Sequence, residues 1–453
     1  MLRALLVASG AMALTAVACA ASERQFLGDA PPGPGLVDQD ASPPPPPSCQ
    51  GLRCSRDLKK VLRGCEGEEE VVKECGPDEG CGDGNCVDPC TSAELSKGSI
   101  GCSFRTLPPD NSLSGSAGSC FAAMIANTWD RPVTISAALG AEPLDITAST
   151  YFAEKTGGTI TYTRVEGPLP PGKVALVFLA QGPSPGRSSS HSPCPPTVVP
   201  AFAGDPIAHG TARTRAFRLT TDAPVSAYSI YPYGGADSYF PTATLLLPIS
   251  SWGKNYLAVN AWAASKIGSP TLQIVADEDD TEVRMRPGVD VYDGNGVTGT
   301  AKGATSGSPI ETTKPVGVFG GSECTYIPAS QQACDATQQQ IPPISAWGSE
   351  YALVPYRPRI GSGVGTNIEA RETVPWRLVG AVNGTKLTYD PARPLGAPET
   401  LEAGQVVNFM TDQLVTVRSQ DSQHPFYAAV FMTGAQMVGG NNLGDPDFVN
   451  VVP

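Results

Sequence analysis

The chain has 453 residues, 13 cysteines and a net charge of −13, with only 17% charged residues. That length exceeds what one hydrophobic core serves, so several compact units are expected. The acidic balance excludes a phosphate-backbone binder, because a negative surface repels nucleic acid.

Met1 to Ala18 reads as a secretion signal, with Arg3, an apolar core from Ala4 to Val17 and small residues after it. The core is too short to span a bilayer. Two cleavage readings stand open. Ala16-Val17-Ala18 suits ordinary signal peptidase, and Thr15-Ala16-Val17-Ala18-Cys19 resembles a bacterial lipobox in which Cys19 carries lipid. The odd cysteine total favours the second, since acylating Cys19 leaves an even number for disulfides. Ala20, with no Asp at that position, points to the outer membrane or cell surface.

Residues 20–48 form a Pro-rich tether with Pro31-Pro32, Pro34 and Pro43 to Pro47. In polyproline II, at ~3.1 Å per residue, it would reach on the order of 90 Å. Residues 49–90 then hold seven cysteines in a stretch too small for its own core, so disulfides are expected to stabilise a separate module. The rival zinc reading of Cys81-x4-Cys86-x3-Cys90 lacks a nearby histidine and conflicts with export. Seven is odd, so one cysteine must reach outside, and Cys90 to Cys102 is the chosen bridge. Helical periodicity is confined to a turn or two near Asp57 to Leu62.

From residue 91 the chain reads as all-β, in tandem strand-rich repeats of sandwich-like or propeller-like form behind the disulfide-rich module. Its 49 Gly and 44 Pro suit many short strands joined by turns. Cys120 to Asn127 with Val133 to Ser136 reads as a hairpin, and Lys173 to Ala180 as a buried strand. Phe217 to Thr220 and Pro224 to Tyr228 read as strand, turn, strand. A related phrase returns at Thr313 to Phe319 and, more loosely, at Pro425 to Phe431. Pro248-Ile249-Ser250-Ser251-Trp252-Gly253 with Tyr256 returns as Pro343-Ile344-Ser345-Ala346-Trp347-Gly348 with Tyr351, 95 residues later. Leu272, Ile274, Val275, Thr281, Val283 and Pro287 match Trp376, Leu378, Val379, Thr385, Leu387 and Pro391 at an offset of 104. About three units are expected, with the two tryptophans as core plugs.

Catalytic patterns are weak. Gly182-Pro183-Ser184-Pro185-Gly186 has the letters of a nucleophile elbow, but Pro185 lacks the N–H that an oxyanion hole needs. His191, His209 and His424 are the only histidines and read as turn or surface residues. Asp277-Glu278-Asp279-Asp280 could attract Ca²⁺, yet its repeat copy Ala381-Val382-Asn383-Gly384 carries no acid, which favours a plain turn. Gly444-Asp445-Pro446-Asp447 has the shape of an autocleavage site with Asp in place of the expected His. No metal or cofactor is expected. Tyr231, Tyr233, Tyr239 and Phe240 crowd a Gly-containing stretch outside the repeat and are the expected ligand contacts.

Ile100-Gly101-Cys102-Ser103-Phe104, the Cys120 phrase, Pro315 to Cys324 leading to Cys334-Asp335, and Gln340 to Gly348 together resemble the N-terminal domain of IgGFc-binding proteins, from about Gly98 to the last residue. The Cys-rich module is similar to one in bacterial exported members. This resemblance implies a non-enzymatic extracellular binding domain, and its members continue beyond the Asp447 to Pro453 phrase. Within it Cys324 and Cys334 are expected to pair, leaving Cys120 for Cys194. The function expected is surface binding or adhesion to an extracellular protein or glycan, the alternatives being an exported hydrolase or a coat component.

Overall fold

In the computed structural model the described residues are 51–64, 69–111, 116–184, 190–235, 238, 240–260, 262, 268–286, 306–329, 335–359, 371–438 and 444–453. Cys19, Cys49, Cys65, Tyr239, Cys334 and the whole of the tether lie outside them.

Strands β1 (Leu52–Cys54), β2 (Lys60–Arg63) and β3 (Glu70–Glu74) form a small antiparallel sheet. Strands β4 (Gly80–Gly82) and β5 (Asn85–Val87) make a hairpin beside it. Cys54–Cys81 and Cys75–Cys86 hold the two together. The expected helical turn at Asp57 to Leu62 is instead a turn running into β2, because alternating Val61 and Leu62 serve the sheet and the core. The helix is α1 (Pro89–Ser96), started by Asp88, whose side chain accepts from the N–H groups of Cys90 and Thr91, with Pro89 in the first turn. Cys90–Cys102 staples it to the next strand.

Hydrophobically this module is not self-contained. Leu58 and Ala93 belong to the same buried cluster as Phe104 and Phe217. The Lys59 ammonium sits 3.2 Å from the Trp129 ring centre and 2.7 Å from Asp130.

The rest is β. The first unit holds β6 (Gly101–Thr106), β7 (Phe121–Ala126), β8 (Ile135–Leu139), β9 (Glu142–Leu144), β10 (Thr150–Thr156), β11 (Thr159–Arg164), β12 (Val174–Ala180), β13 (Phe217–Tyr231) and β14 (Thr242–Leu246). Its organiser is β13. Residues 217–225 pair with β6 and β8, then a register shift carries residues 226–231 to β7 and β14. One strand thus lies in both layers of a sandwich. Two expectations change accordingly. The 217–228 stretch lies within one 15-residue strand and is not strand, turn, strand. Strands β7 and β8 are not a hairpin, since each pairs with a different half of β13.

The same scheme recurs. In the second unit β18 (Pro309–Thr325) takes β15 (Gly253–Leu257) and β17 (Val283–Met285) on its first half, then β16 (Pro270–Ala276) and β19 (Asp335–Ile341) on its second. In the third the long strand is broken in two. β25 (Val415–Ser419) pairs with β20 (Glu350–Leu353) and β22 (Thr385–Asp390), which also takes β23 (Thr400–Leu401). β26 (Phe426–Met432) pairs with β21 (Val374–Gly380) and β27 (Asp447–Asn450), and β24 (Val406–Thr411) covers β21.

The repeated Trp-Gly phrase makes the joints. Trp252 is buried with the first-unit core and Trp347 with the second. Each indole N–H donates to the carbonyl five residues back, Leu247 or Pro342, at 3.1 Å. The Tyr256 hydroxyl accepts from the Gly253 N–H and donates to the Val316 carbonyl. Tyr351 does the same between Gly348 and Phe426. Glycine is required at these starts: a Cβ on Gly101, Gly253 or Gly348 would meet the Cβ of Pro248, Pro343 or Pro453 at 2.4, 2.6 and 2.1 Å. Between the first two units, Gln339 and Gln340 on β19 bond by side chain to Ala243 and Leu247 of the β14 region.

Candidate functional site

Among the described residues a groove of about 1340 Å³ lies where the first unit meets the second. One wall comes from β6, the β8–β9 turn and residues 207–218, which bring Arg105, Arg213, Arg215 and Arg218. The other is β16 with the acidic turn that follows it and β17. One wall is therefore rich in guanidinium and the other in carboxylate. Alternation explains the basic wall: in β13, Phe217 and Leu219 point into the core, which leaves Arg218 exposed.

Arg105 crosses the groove to Asp277 at 2.7 Å. Lys314 reaches Glu278 at 3.5 Å and the Asp279 carbonyl at 2.5 Å. The acidic turn is thus tied to basic side chains, in keeping with a turn rather than a cation loop. The floor is fixed by Gln273, which donates to the Pro108 carbonyl at 3.0 Å, and by Gln338, which donates to Leu107 at 3.3 Å.

His209 stands at the groove's edge. Its Nδ1 is 2.7 Å from Asp110 Oδ1 and its Nε2 is 3.0 Å from Asp205 Oδ2. Hydrogen bonds to Asp110 and then Asp205 push the imidazole up to about 10. Both ring nitrogens are donors in that state, so the ring holds its loop and has no lone pair with which to act as a base. Glu323 lies close by, its carboxyl raised chiefly by burial, and it accepts from the Ser269 N–H at 3.1 Å. His191 donates from Nε2 to the Gly118 carbonyl, and His424 pairs with Asp421 on the surface. Among the described residues no group of three or more His, Cys, Asp or Glu is placed to hold a metal ion. What the groove can do is hold a charged polar surface.

Two of the four aromatic residues expected as ligand contacts, Tyr231 and Phe240, are instead core. Tyr231 is 4% exposed and its hydroxyl donates to the Ser116 carbonyl at 2.6 Å. Phe240 is 6% exposed and packs with Cys324 and Ala336. Tyr233 is half-buried, its ring edge-on to Phe178 at 5.0 Å and its hydroxyl 3.1 Å from that of Tyr162. Tyr231 ends the long β13 and Phe240 precedes β14, so the chain direction turns these rings inward. The pairing that builds the groove had no signal in the sequence, since Arg105 and Asp277 are 172 positions apart.

The structure joins Cys90 to Cys102 and Cys120 to Cys194. Cys324 is disulfide-bonded, and its expected partner Cys334 lies outside the described residues.

A buried acidic group was also not anticipated. Asp335, at the start of β19, is 1% exposed, and neither carboxylate oxygen has a hydrogen-bond partner among the described residues. Burial, with Asp445 and Asp447 nearby, pushes its carboxyl up to about 9.

No curated protein and no solved structure matches the chain. The family match starts at residue 242, not near Gly98, although the first unit shares the strand scheme. That unit differs by its inserted β10–β11 ribbon and the long passage from β12 to β13. Four described disulfides accord with an extracellular protein. Residues 242–453, which comprise the last strand of the first unit and the two units joined by the repeated Trp-Gly phrase, match the family model of the IgGFc binding protein.

Proposed function

We propose that the chain is an exported, non-catalytic protein that binds an extracellular protein or glycan in the groove between its first and second β units. The observation that carries this reading is the groove itself, with Arg213 and Arg218 on one wall and the acidic turn on the other, at the edge of a domain of a binding family. Opposed charges suit a ligand that presents both signs, and such recognition is steered electrostatically and weakened by salt. The engagement of both His209 nitrogens argues against a hydrolase at this place.

The test uses immobilised immunoglobulin Fc, extracellular-matrix proteins and a glycan array as probes. Arg213→Glu with Arg218→Glu should abolish capture of whichever probe binds, while melting is unchanged because both side chains are exposed. Binding that survives the double change, or that does not fall with added salt, would exclude the groove.

In the same reading Cys19 carries lipid and anchors the chain at the outer membrane of a bacterium, with residues 20–48 as spacer. The support is the lipobox-like run and the odd cysteine total. Cys19→Ser should move the protein to soluble fractions, and an unacylated mature N-terminus at Val17 or Ala21 would refute the anchor.

A further inference from the structure

We propose that β11 is a docking edge for a second copy of this chain, the two strands joining antiparallel so that two first-unit sheets continue into one. Strand β11 ends its sheet, paired only with β10 among the described residues. Strand β10 in turn meets β12 only through Thr150 and Tyr151, so most of the β10–β11 ribbon stands beyond the sandwich. Five of the six β11 residues are exposed, Ile160 among them at 46%.

The phase of the ladder shows which amides are available. The Val165 N–H donates to the Thr150 carbonyl at 2.9 Å, so that pair is hydrogen-bonded. Pairs alternate along an antiparallel ribbon, which makes 152/163, 154/161 and 156/159 hydrogen-bonded as well. The backbone groups of Ile160, Tyr162 and Arg164 therefore point away from β10.

Natural edges are usually blunted by proline, a bulge or charge within the strand. At the opposite end of the strand order, in the other layer, β9 carries Pro143. Strand β11, Thr159-Ile160-Thr161-Tyr162-Thr163-Arg164, has no proline, no register shift against β10 and no charge before its last residue.

The edge is also self-complementary. With a two-fold axis at Thr161, Ile160 of each copy faces Tyr162 of the other in a hydrogen-bonded pair, using the outward amides. Thr159 faces Thr163, Thr161 faces its own counterpart, and Arg164 faces Gly158, so no like charges meet. Aromatic with β-branched and Thr with Thr are favourable cross-strand pairs. Moving the axis to Tyr162 would set Ile160 against Arg164 and lose both apolar pairs. A six-residue edge is smaller than a standard interface, so the dimer is a concentration-dependent one. It is independent of the groove.

The experiment is sedimentation velocity of the purified chain from roughly 1 to 200 μM, bracketing the weak affinities expected of small interfaces. A shift from monomer to dimer is expected. Thr161→Lys, which puts two ammonium groups opposite each other at an exposed site, should keep the chain monomeric with unchanged melting. Thr161→Cys should give a reducible covalent dimer, because opposed residues of a non-hydrogen-bonded pair have Cα atoms about 4.5 Å apart. Thr163→Cys should not. A chain that stays monomeric throughout, a dimer that persists in Thr161→Lys, or cross-linking through Thr163→Cys and not Thr161→Cys would each overturn the proposal.

Discussion

Asp335→Asn should stabilise the protein at neutral pH, an unusual direction for a change at a buried site. The carboxyl is 1% exposed, finds no hydrogen-bond partner among the described residues, and is raised from 3.8 to about 9. At pH 7 the unfolded chain carries it ionised and the folded chain carries it protonated. A folded value above the unfolded one means that stability is greatest in acid and declines as pH rises from about 4 towards 9. Taking up that proton at pH 7 costs about 4 kcal/mol, from 1.36 kcal/mol for each pH unit above 3.8. Asparagine keeps the shape and removes the cost. Its amide faces Thr325 across the ladder, whose hydroxyl is likewise buried without a partner among the described residues. The expected gain is about 2–4 kcal/mol at pH 7 and close to zero at pH 4. Urea melts of both proteins at pH 4, 5.5 and 7 measure it. A variant that is less stable than the parent at pH 7, or a difference that does not change with pH, would refute the reasoning.

Tyr351→Phe should cost about 1–3 kcal/mol, because the Gly348 N–H and Phe426 carbonyl are left unsatisfied at a buried joint. Tyr256→Phe should cost a similar amount, and a thermal melt of each checks it. Gly253→Ala should destabilise by about 1–3 kcal/mol, since the new Cβ meets Pro343 at 2.6 Å. Cys90→Ser with Cys102→Ser opens a short loop and should lose about 3 kcal/mol, read as a lower melting temperature of the module and first unit together. Raising pH through about 10 should release the 205–210 loop as His209 loses its second proton; the bracket is complete below the ordinary histidine value near 6.5. Histidine NMR titration follows it, and a midpoint near 6.5 would contradict the double carboxylate bracket.

Much of the fold was legible in the sequence because its signals are local. A Trp-Gly phrase with Tyr three residues on encodes a complete joint: the indole bonds five residues back, the tyrosine hydroxyl bonds three residues back, and glycine admits a proline ring. The apolar run at Lys173 to Ala180 became β12 for the same reason, being buried from Ala175 onward. The long strand was less legible. Strand and turn residues alternate within 217–228, and only pairing with both sheets shows that Asp222 to Pro224 lie in a register shift rather than a turn.

The site required the tertiary structure. Composition marked Tyr231 and Phe240 as loop aromatics, but composition does not record which way a ring points, and both are core. His209 read as an ordinary turn histidine until Asp110, 99 positions away, was placed against its Nδ1. Strand period, glycine placement and the repeated joints are written in neighbours along the chain, so the sequence by itself determined the all-β repeat and the extracellular cysteine framework. Burial, charge pairing and the groove depend on residues that meet across 70 to 170 positions. Only the packing of one sandwich on the next decides those, because energies of desolvation and Coulomb attraction act through space and leave no periodic trace in the order of residues.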